Sequence, residues 1–487
     1  MYSFLSIVLL LCLWNSILFY SQSLGVNVVL FTVPLCIFLV HVLKNKELIK
    51  NKYGLIYIIP IILLSASYFI YDNNVFKVLN VFVITLLYIF MYIFTINPTY
   101  KLGNIITNTF SLIFEPFGKI DNVFRLIKSN KKEKSNKNLG KILKSIAIII
   151  PIVLLIIYLL SSADEVFRLF FNDIFEWIKN LTLERIIFEL IGRGIIVFIL
   201  FTYISSVLNY LIFNYKNVNN TEKVINKEYD TTTIKMLLTI LNVIYVFFDI
   251  IQIRSLLLHR MAMDITYSEY AKRGFFELLV VSLLNLIFIL IAKKQENKND
   301  GIYIKANSII MVFLTLIIIA SSFIRMYMYQ DAYGCTFLRL MTYVVLITEV
   351  FMLVPTIMYI LDSKIKVLRY YIPIAVFAYT IVNLFPVNGY IAKYNIDRYY
   401  STGKLDIEYL TYYQTSDNIP ELIKLYNKTD DEDIKIKLEK YLKGTSTNRY
   451  TNKYYSYGIY KDKKMTIQEF NISKYRAHNQ LEKNNLR

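Results

Sequence analysis

Apolar positions along this chain gather into long runs and do not alternate. About 20 consecutive apolar residues, at 1.5 Å of rise each, cross roughly 30 Å of hydrocarbon. Eleven runs approach or exceed that length: 4–20, 24–43, 53–71, 75–96, 142–160, 186–210, 234–258, 274–291, 306–323, 338–360 and 371–386. This predicts an all-α, polytopic transmembrane helical bundle of about 11 spans. No Lys or Arg precedes the first run and no small-residue cleavage site follows it, so it reads as a retained span and not as a secretory signal.

The pattern breaks in two places. Residues 97–141 form a basic connector in which the stretch 104–118 has helical apolar spacing, a proline and too little length to cross, so it reads as an interfacial helix. From Asn388 onward the chain carries 18 Lys and Arg against 13 Asp and Glu and no long apolar run. That tail predicts a small, mainly helical extramembrane region. One helix is expected behind Ser416 or Asp417 with Pro420 in its first turn, a second from Asp430 to Lys443, and a third after Asn471; Thr445 to Lys464 reads as loop. Four segments follow: 1–96 with four spans, the basic loop 97–141, seven spans in 142–387, and the region 388–487.

Composition agrees, since 56% apolar residues and a mean hydropathy of +0.44 are too apolar for a soluble chain of 487 residues. Charge adds direction. Alternate connectors hold 25 and 7 Lys and Arg, and the basic set is expected on the cytoplasmic side. With an odd number of spans, the N-terminus lies inside and the tail outside. The net charge of +18 could suggest a nucleic-acid partner, but its densest cluster, Phe124 to Lys144, directly precedes a span. It reads as a topology signal touching anionic lipid, at about 1 kcal/mol per basic residue near the surface, and no nucleic-acid partner is expected.

Candidate chemistry is sparse. Three cysteines, two of them inside apolar runs, and three scattered histidines offer no metal site, and no cofactor is expected. P-loop, HExxH, GxSxG and CxxC motifs are absent from the sequence. Inside the runs, Asp249 and Glu349 lie nearest the middle, with Asn285 at comparable depth. An ion there costs at least about 2.5 kcal/mol, so each carries protons or ions, or is hydrogen-bonded between helices or paired, as Asp249 could be with Arg254. Glu189 and Arg193, four apart, are placed to pair locally.

Several stretches carry a resemblance: SADEVF (Ser162 to Phe167), YSEYAKRGFFELL (Tyr267 to Leu279), YQDAYGCTFLRLMT (Tyr329 to Thr342), NGYIAKYNIDR with LDIEYL and SDNIPEL (Asn388 to Leu422), and FNISKYRA (Phe470 to Ala477). Together they resemble bacterial multi-pass membrane proteins of the domain-of-unknown-function 4173 / 4153 group, from about the fifth span to the end of the chain. The resemblance implies a bacterial cell membrane and no particular activity. Cys335 stands where that pattern has an apolar residue. All five stretches fall in expected outer connectors, at outer span ends or in the tail.

A candidate outer cluster follows: Arg168, Tyr267, Glu269, Tyr270, Arg273, Glu277, Arg325, Tyr329, Asp331, Tyr333, Arg339, Asn388, Asn395 and Arg398. Arginine forks suit phosphate or carboxylate, and tyrosine suits the headgroup region, so an anionic lipid headgroup, a lipid-linked sugar or an envelope protein would fit. The plainer reading is that these side chains pair and clamp the tail onto the membrane domain. Three function classes stay open: a non-enzymatic envelope protein acting as sensor, scaffold or assembly partner; a transporter or lipid flippase using Asp249 and Glu349; and an enzyme on a lipid-linked substrate with Asp164 or Glu165 as base or metal ligand. Against transport, no internal repeat is visible.

Overall fold

A backbone in hydrocarbon must satisfy its own hydrogen bonds, and a helix does so within one segment. The computed structural model is accordingly all-α among the residues it describes, which are 2–96, 105, 109, 190, 192–198, 200, 201, 203–205, 231–257, 275–294, 296, 301–412, 415–443 and 466–486. These residues fall into two compact units.

The first unit holds α1 (Tyr2–Phe19), α2 (Val26–Asn45), a 3-10 turn at Lys52–Tyr57, the second half of α4 (Asn74–Ile96) and the described positions between 105 and 205. Val8, Leu11 and Cys12 of α1 pack with Phe38 and Val42 of α2. Arg193 lies 4.8 Å from the ring centre of Tyr20, while Glu189 falls outside the described residues.

The second unit holds α3 (Ile58–Ile70) from Ile59 onward, the first half of α4, and then α5 (Thr231–Leu257), α6 (Phe275–Lys294), α7 (Gly301–Tyr333), α8 (Phe337–Leu361) and α9 (Leu368–Asn383). Leu238, Ile289, Met311, Leu346 and Leu353 join α5 to α8 in one core. The tail supplies α10 (Val387–Thr402), α11 (Ile407–Tyr412), α12 (Ile419–Lys428), α13 (Glu432–Leu442) and α14 (Ile472–Lys483), packed on Ile396, Leu410, Leu422, Leu438 and Ala477.

Five helices are long and apolar enough to cross a membrane among the described residues, and six if α9 and α10, bent by 62°, count as one span. Several expectations shift. The expected connector 324–337 is mostly helix, because no breaker interrupts α7 before Gly334, whose φ of +82° ends it. The connector proper is Gly334 to Thr336, with the Thr336 side chain capping α8. The last apolar run is α9, and the tail continues at once as α10, bent by 62° from it, which the sequence reading did not foresee. Pro420 does sit in the first turn of α12, but Asn418 occupies the cap position and Asp417 points elsewhere. Asp431 caps α13 and Asn471 caps α14. The fifth run, the interfacial stretch apart from residues 105 and 109, and the loop 445–464 lie outside the described residues.

Candidate functional site: the tail-docking end and its cleft

Within the second unit, two turns and the tail meet at one end. At the α7–α8 turn, Asn395 of α10 reads the backbone of Cys335 in both directions: its Oδ1 accepts from Cys335 N and its Nδ2 donates to Cys335 O, each at 2.8 Å. Arg398, one turn further on, donates to the carbonyls of Asp331 (2.8 Å) and Ala332 (2.6 Å), the last turn of α7. Arg339 donates to the carbonyls of Tyr333 and Gly334 and lies 4.1 Å from the centre of the Tyr329 ring, which itself meets Tyr333 edge to face. Cations at a helix C-terminus match its dipole and its unsatisfied carbonyls. A Cβ on Gly334 would sit 2.4 Å from Asn395 Oδ1, so glycine is required there by space as well as by φ.

At the α3–α4 turn, Asp72 and Asp417 interlock. Asp72 N donates to both carboxylate oxygens of Asp417 at 3.1 Å, while Ser416 donates to Asp72 Oδ2 through its N (3.3 Å) and its Oγ (2.8 Å). Lys77 pairs with the Asp72 carboxylate. Burial pushes the Asp72 carboxyl up, but the charges of Lys77 and Lys474 and the bonds from Lys77 and Ser416 outweigh it and hold the group below its usual range. Asp417 goes the other way, to about 6, through burial and the facing charge of Asp72, against the bond from Ser473. Asn471, wholly buried, caps two helices at once: its Nδ2 donates to the carbonyls of Tyr68 (2.7 Å) and Tyr71 (2.8 Å) at the end of α3, and its Oδ1 accepts from Lys474 N at the start of α14.

Between the two turns lies a cleft of about 190 Å³. Its lining is apolar at Val75, Phe337, Ile391 and Leu410 and polar at Asn73, Asn74, Asn388, Tyr409, Thr415 and Asn418. Asn73 Nδ2 donates to Asn388 Oδ1 (3.2 Å) and Asn388 Nδ2 to Thr415 Oγ1 (2.8 Å). Asn418 is 5% exposed and its Oδ1 has no partner among the described residues.

Deeper in the bundle, Tyr245 of α5 donates to Asn285 Oδ1 (2.8 Å), and Asn285 donates to Thr315 of α7 (3.0 Å). Ser282 of α6 donates to Glu349 Oε2 of α8 at 2.5 Å. Glu349 is 1% and Asp249 3% exposed, and Glu349 Oε1 and both Asp249 oxygens have no partner among the described residues. The side chain of Arg254 lies outside those residues. A second polar knot, unforeseen, joins α3, α4 and α9: Asn80 donates to Ser67 (3.1 Å) and Asn383 (2.9 Å) and accepts from Tyr379 (2.6 Å).

Of the sequence-derived candidates, Tyr329, Tyr333, Arg339, Asn395 and Arg398 thus gather at the α7–α8 turn, where Asp331 contributes its carbonyl and leaves its side chain exposed. Asn388 belongs to the cleft, and Arg325 is buried in α7. Glu277 is exposed in the first turn of α6 and joins neither group through a described contact. Asp164, Glu165, Arg168, Tyr267, Glu269, Tyr270 and Arg273 lie outside the described residues. Sequence reasoning missed Asp72, Ser416, Asn418 and Asn471 as docking or lining residues; the signals were that Ser416 and Asn471 preceded helical patterns and that Ser416, Asn418 and Asn471 lay in stretches carrying the resemblance. Among the described residues no group of three or more His, Cys, Asp or Glu could hold a metal ion.

A chain of several bilayer-length apolar helices, closed at one end by a docked helical tail, is a multi-pass membrane protein. Residues 58–425 match the family described as Domain of unknown function (DUF4153), and the chain belongs to that family. No curated protein and no solved structure matches it.

Proposed function

We propose that this protein is an eleven-span, non-enzymatic component of a bacterial cell membrane, N-terminus inside and tail outside, acting as sensor, scaffold or assembly partner. One observation carries the reading: the side chains best suited to grip a ligand, Arg339, Asn395 and Arg398, hold the backbone of the α7–α8 turn instead. They make the tail a fixed platform, and its surface is what a partner, whether an envelope protein or an anionic lipid headgroup, meets. The assignment of sides is supported by the connectors themselves, since the turns at 72–73 and 334–336, both poor in Lys and Arg, meet the same tail.

Sidedness tests this reading directly. A Cys335→Ser, Ser446→Cys variant is treated in intact cells with a membrane-impermeant maleimide; the remaining cysteines, Cys12 and Cys36, are buried and give little background. Labelling before lysis is expected. Labelling only after lysis would put the tail in the cytoplasm and end the proposal of an outer platform.

A transporter or flippase is the second reading, favoured by the buried carboxylate oxygens of Asp249 and Glu349 that meet no described partner. It predicts that Asp249→Asn and Glu349→Gln abolish proton-coupled flux in vesicles while leaving protein abundance unchanged.

A further inference from the structure

We propose that the cleft between the α3–α4 turn and the tail binds one ring of a neutral sugar. Charge narrows the ligand first: among the described residues neither Lys, Arg, Asp nor Glu lines the cleft. A phosphate, carboxylate or amine entering it would shed water without meeting a counter-ion. The helix starts at its edge are no substitute, because Phe76 N is already taken by Asn73 Oδ1 (3.0 Å) and Phe337 N by the Tyr409 hydroxyl (2.9 Å). What remains is a neutral guest.

Its mixed lining then specifies an amphiphilic one. A pyranose ring has a C–H face and a rim of hydroxyls, and here the apolar Val75, Phe337, Ile391 and Leu410 line the cleft together with hydrogen-bonding groups. Asn418 supplies the decisive group. Its carbonyl oxygen is buried with no described partner, a state that costs about 1–3 kcal/mol unless a donor arrives. Turned toward the cleft that Asn418 lines, that oxygen accepts from a sugar hydroxyl, and Thr415 Oγ1, which accepts from Asn388, has its own proton to give in return. The volume of about 190 Å³ is far above the roughly 10–15 Å³ that one water needs, so the cleft has room for a small-molecule guest. The inference does not depend on which side of the membrane the tail occupies.

The full-length protein in phosphatidylglycerol nanodiscs is titrated with glucose, galactose and N-acetylglucosamine by saturation-transfer difference NMR, with inorganic phosphate as the anionic control. At least one sugar is expected to give a saturable signal. Asn418→Ala should weaken it at least about tenfold, the equivalent of about 1.4 kcal/mol, and Val75→Trp should abolish it by filling the mouth. Neither variant should lower Tm, because Val75 is 48% exposed and the Asn418 side chain makes no described bond. A rise in Tm in nanodiscs carrying glucosyl diacylglycerol, lost in Val75→Trp and unmatched by free sugars, would assign the ring to a membrane glycolipid; binding of free sugar assigns a soluble source. Phosphate binding alone, no saturable sugar or glycolipid response, or a response that both variants retain would overturn the proposal.

Discussion

Two polar regions of the second unit use similar residues to opposite ends. At the tail-docking end, Asn395, Arg398 and Asn471 meet backbone groups that helix ends leave without partners. In the bundle, Asn285 is satisfied through Tyr245 and Thr315, yet Glu349 and Asp249 keep carboxylate oxygens that no described residue answers. A network whose atoms are all matched is architecture, since removing any member strands another. Buried acids left partly unmatched contribute little to architecture, and their retention in an apolar run calls for another reason.

The contrast breaks most severely at Gly334. Gly334→Val combines a positive φ with a Cβ 2.4 Å from Asn395 Oδ1, so a loss of at least about 3 kcal/mol is expected. It would be read as a collapse of Tm and proteolytic release of the tail in detergent; a wild-type Tm would remove the docking end from its structural role. Asn471 comes next. Asn471→Ala strands the carbonyls of Tyr68 and Tyr71 and the Lys474 N–H, for about 2–3 kcal/mol. Asn471→Asp sharpens the point, because it keeps the α14 cap while it loses the α3 bonds and sets a carboxylate against the Tyr68 and Tyr71 carbonyls. A wild-type Tm in Asn471→Asp would show that the bonds to α3 carry no weight.

The Asp72–Asp417 pair gives a smaller, pH-dependent effect. Asp417 titrates near 6 in the fold, above its ordinary value, so its contribution to stability is full below about pH 4 and is lost as pH rises through 6. Asp72 is held low, so its contribution is present above about pH 4 and lost as pH falls further. Tm should therefore rise between about pH 7.5 and 5 and fall below 4. Asp417→Asn should remove the upper limb and raise neutral-pH stability by about 1–2 kcal/mol, discounted because the residue is only partly buried. A flat profile in the wild type would exclude the pair as a determinant of docking. Smallest of all, Asp249→Asn and Glu349→Gln should each change stability by less than about 1 kcal/mol, because the amides keep shape and the Ser282 bond to position 349 survives. A large loss of Tm would place the deep acids with the architecture after all.

Much of the fold was legible because its signals are local. The apolar runs mark α2, α4, α7 and α8 to within a turn or two at most ends, and Asn471, Asp430 (one residue before the observed cap, Asp431) and Pro420 mark helix starts that the structure contains. The 33-residue length of α7 was missed, since polar residues after Phe323 look like a loop when nothing shows that α10 will cover them. The site was legible in part. Arg339, Asn395 and Arg398 stood out as polar residues near span ends, whereas Asn418 and Asp72 looked like ordinary loop residues.

The sequence by itself determined that this chain lives in a membrane, that it is helical, and that the tail is a separate kind of region, because hydrocarbon solubility and helix capping depend on neighbours within a few residues. Tertiary structure alone decided which ends meet. Asn471 reaches Tyr68 and Tyr71, and Ser416 reaches Asp72, across separations of 403, 400 and 344 residues. A hydrogen bond is specified by a position in space to within a few tenths of an ångström, and no pattern along the chain encodes that position until the helices have packed.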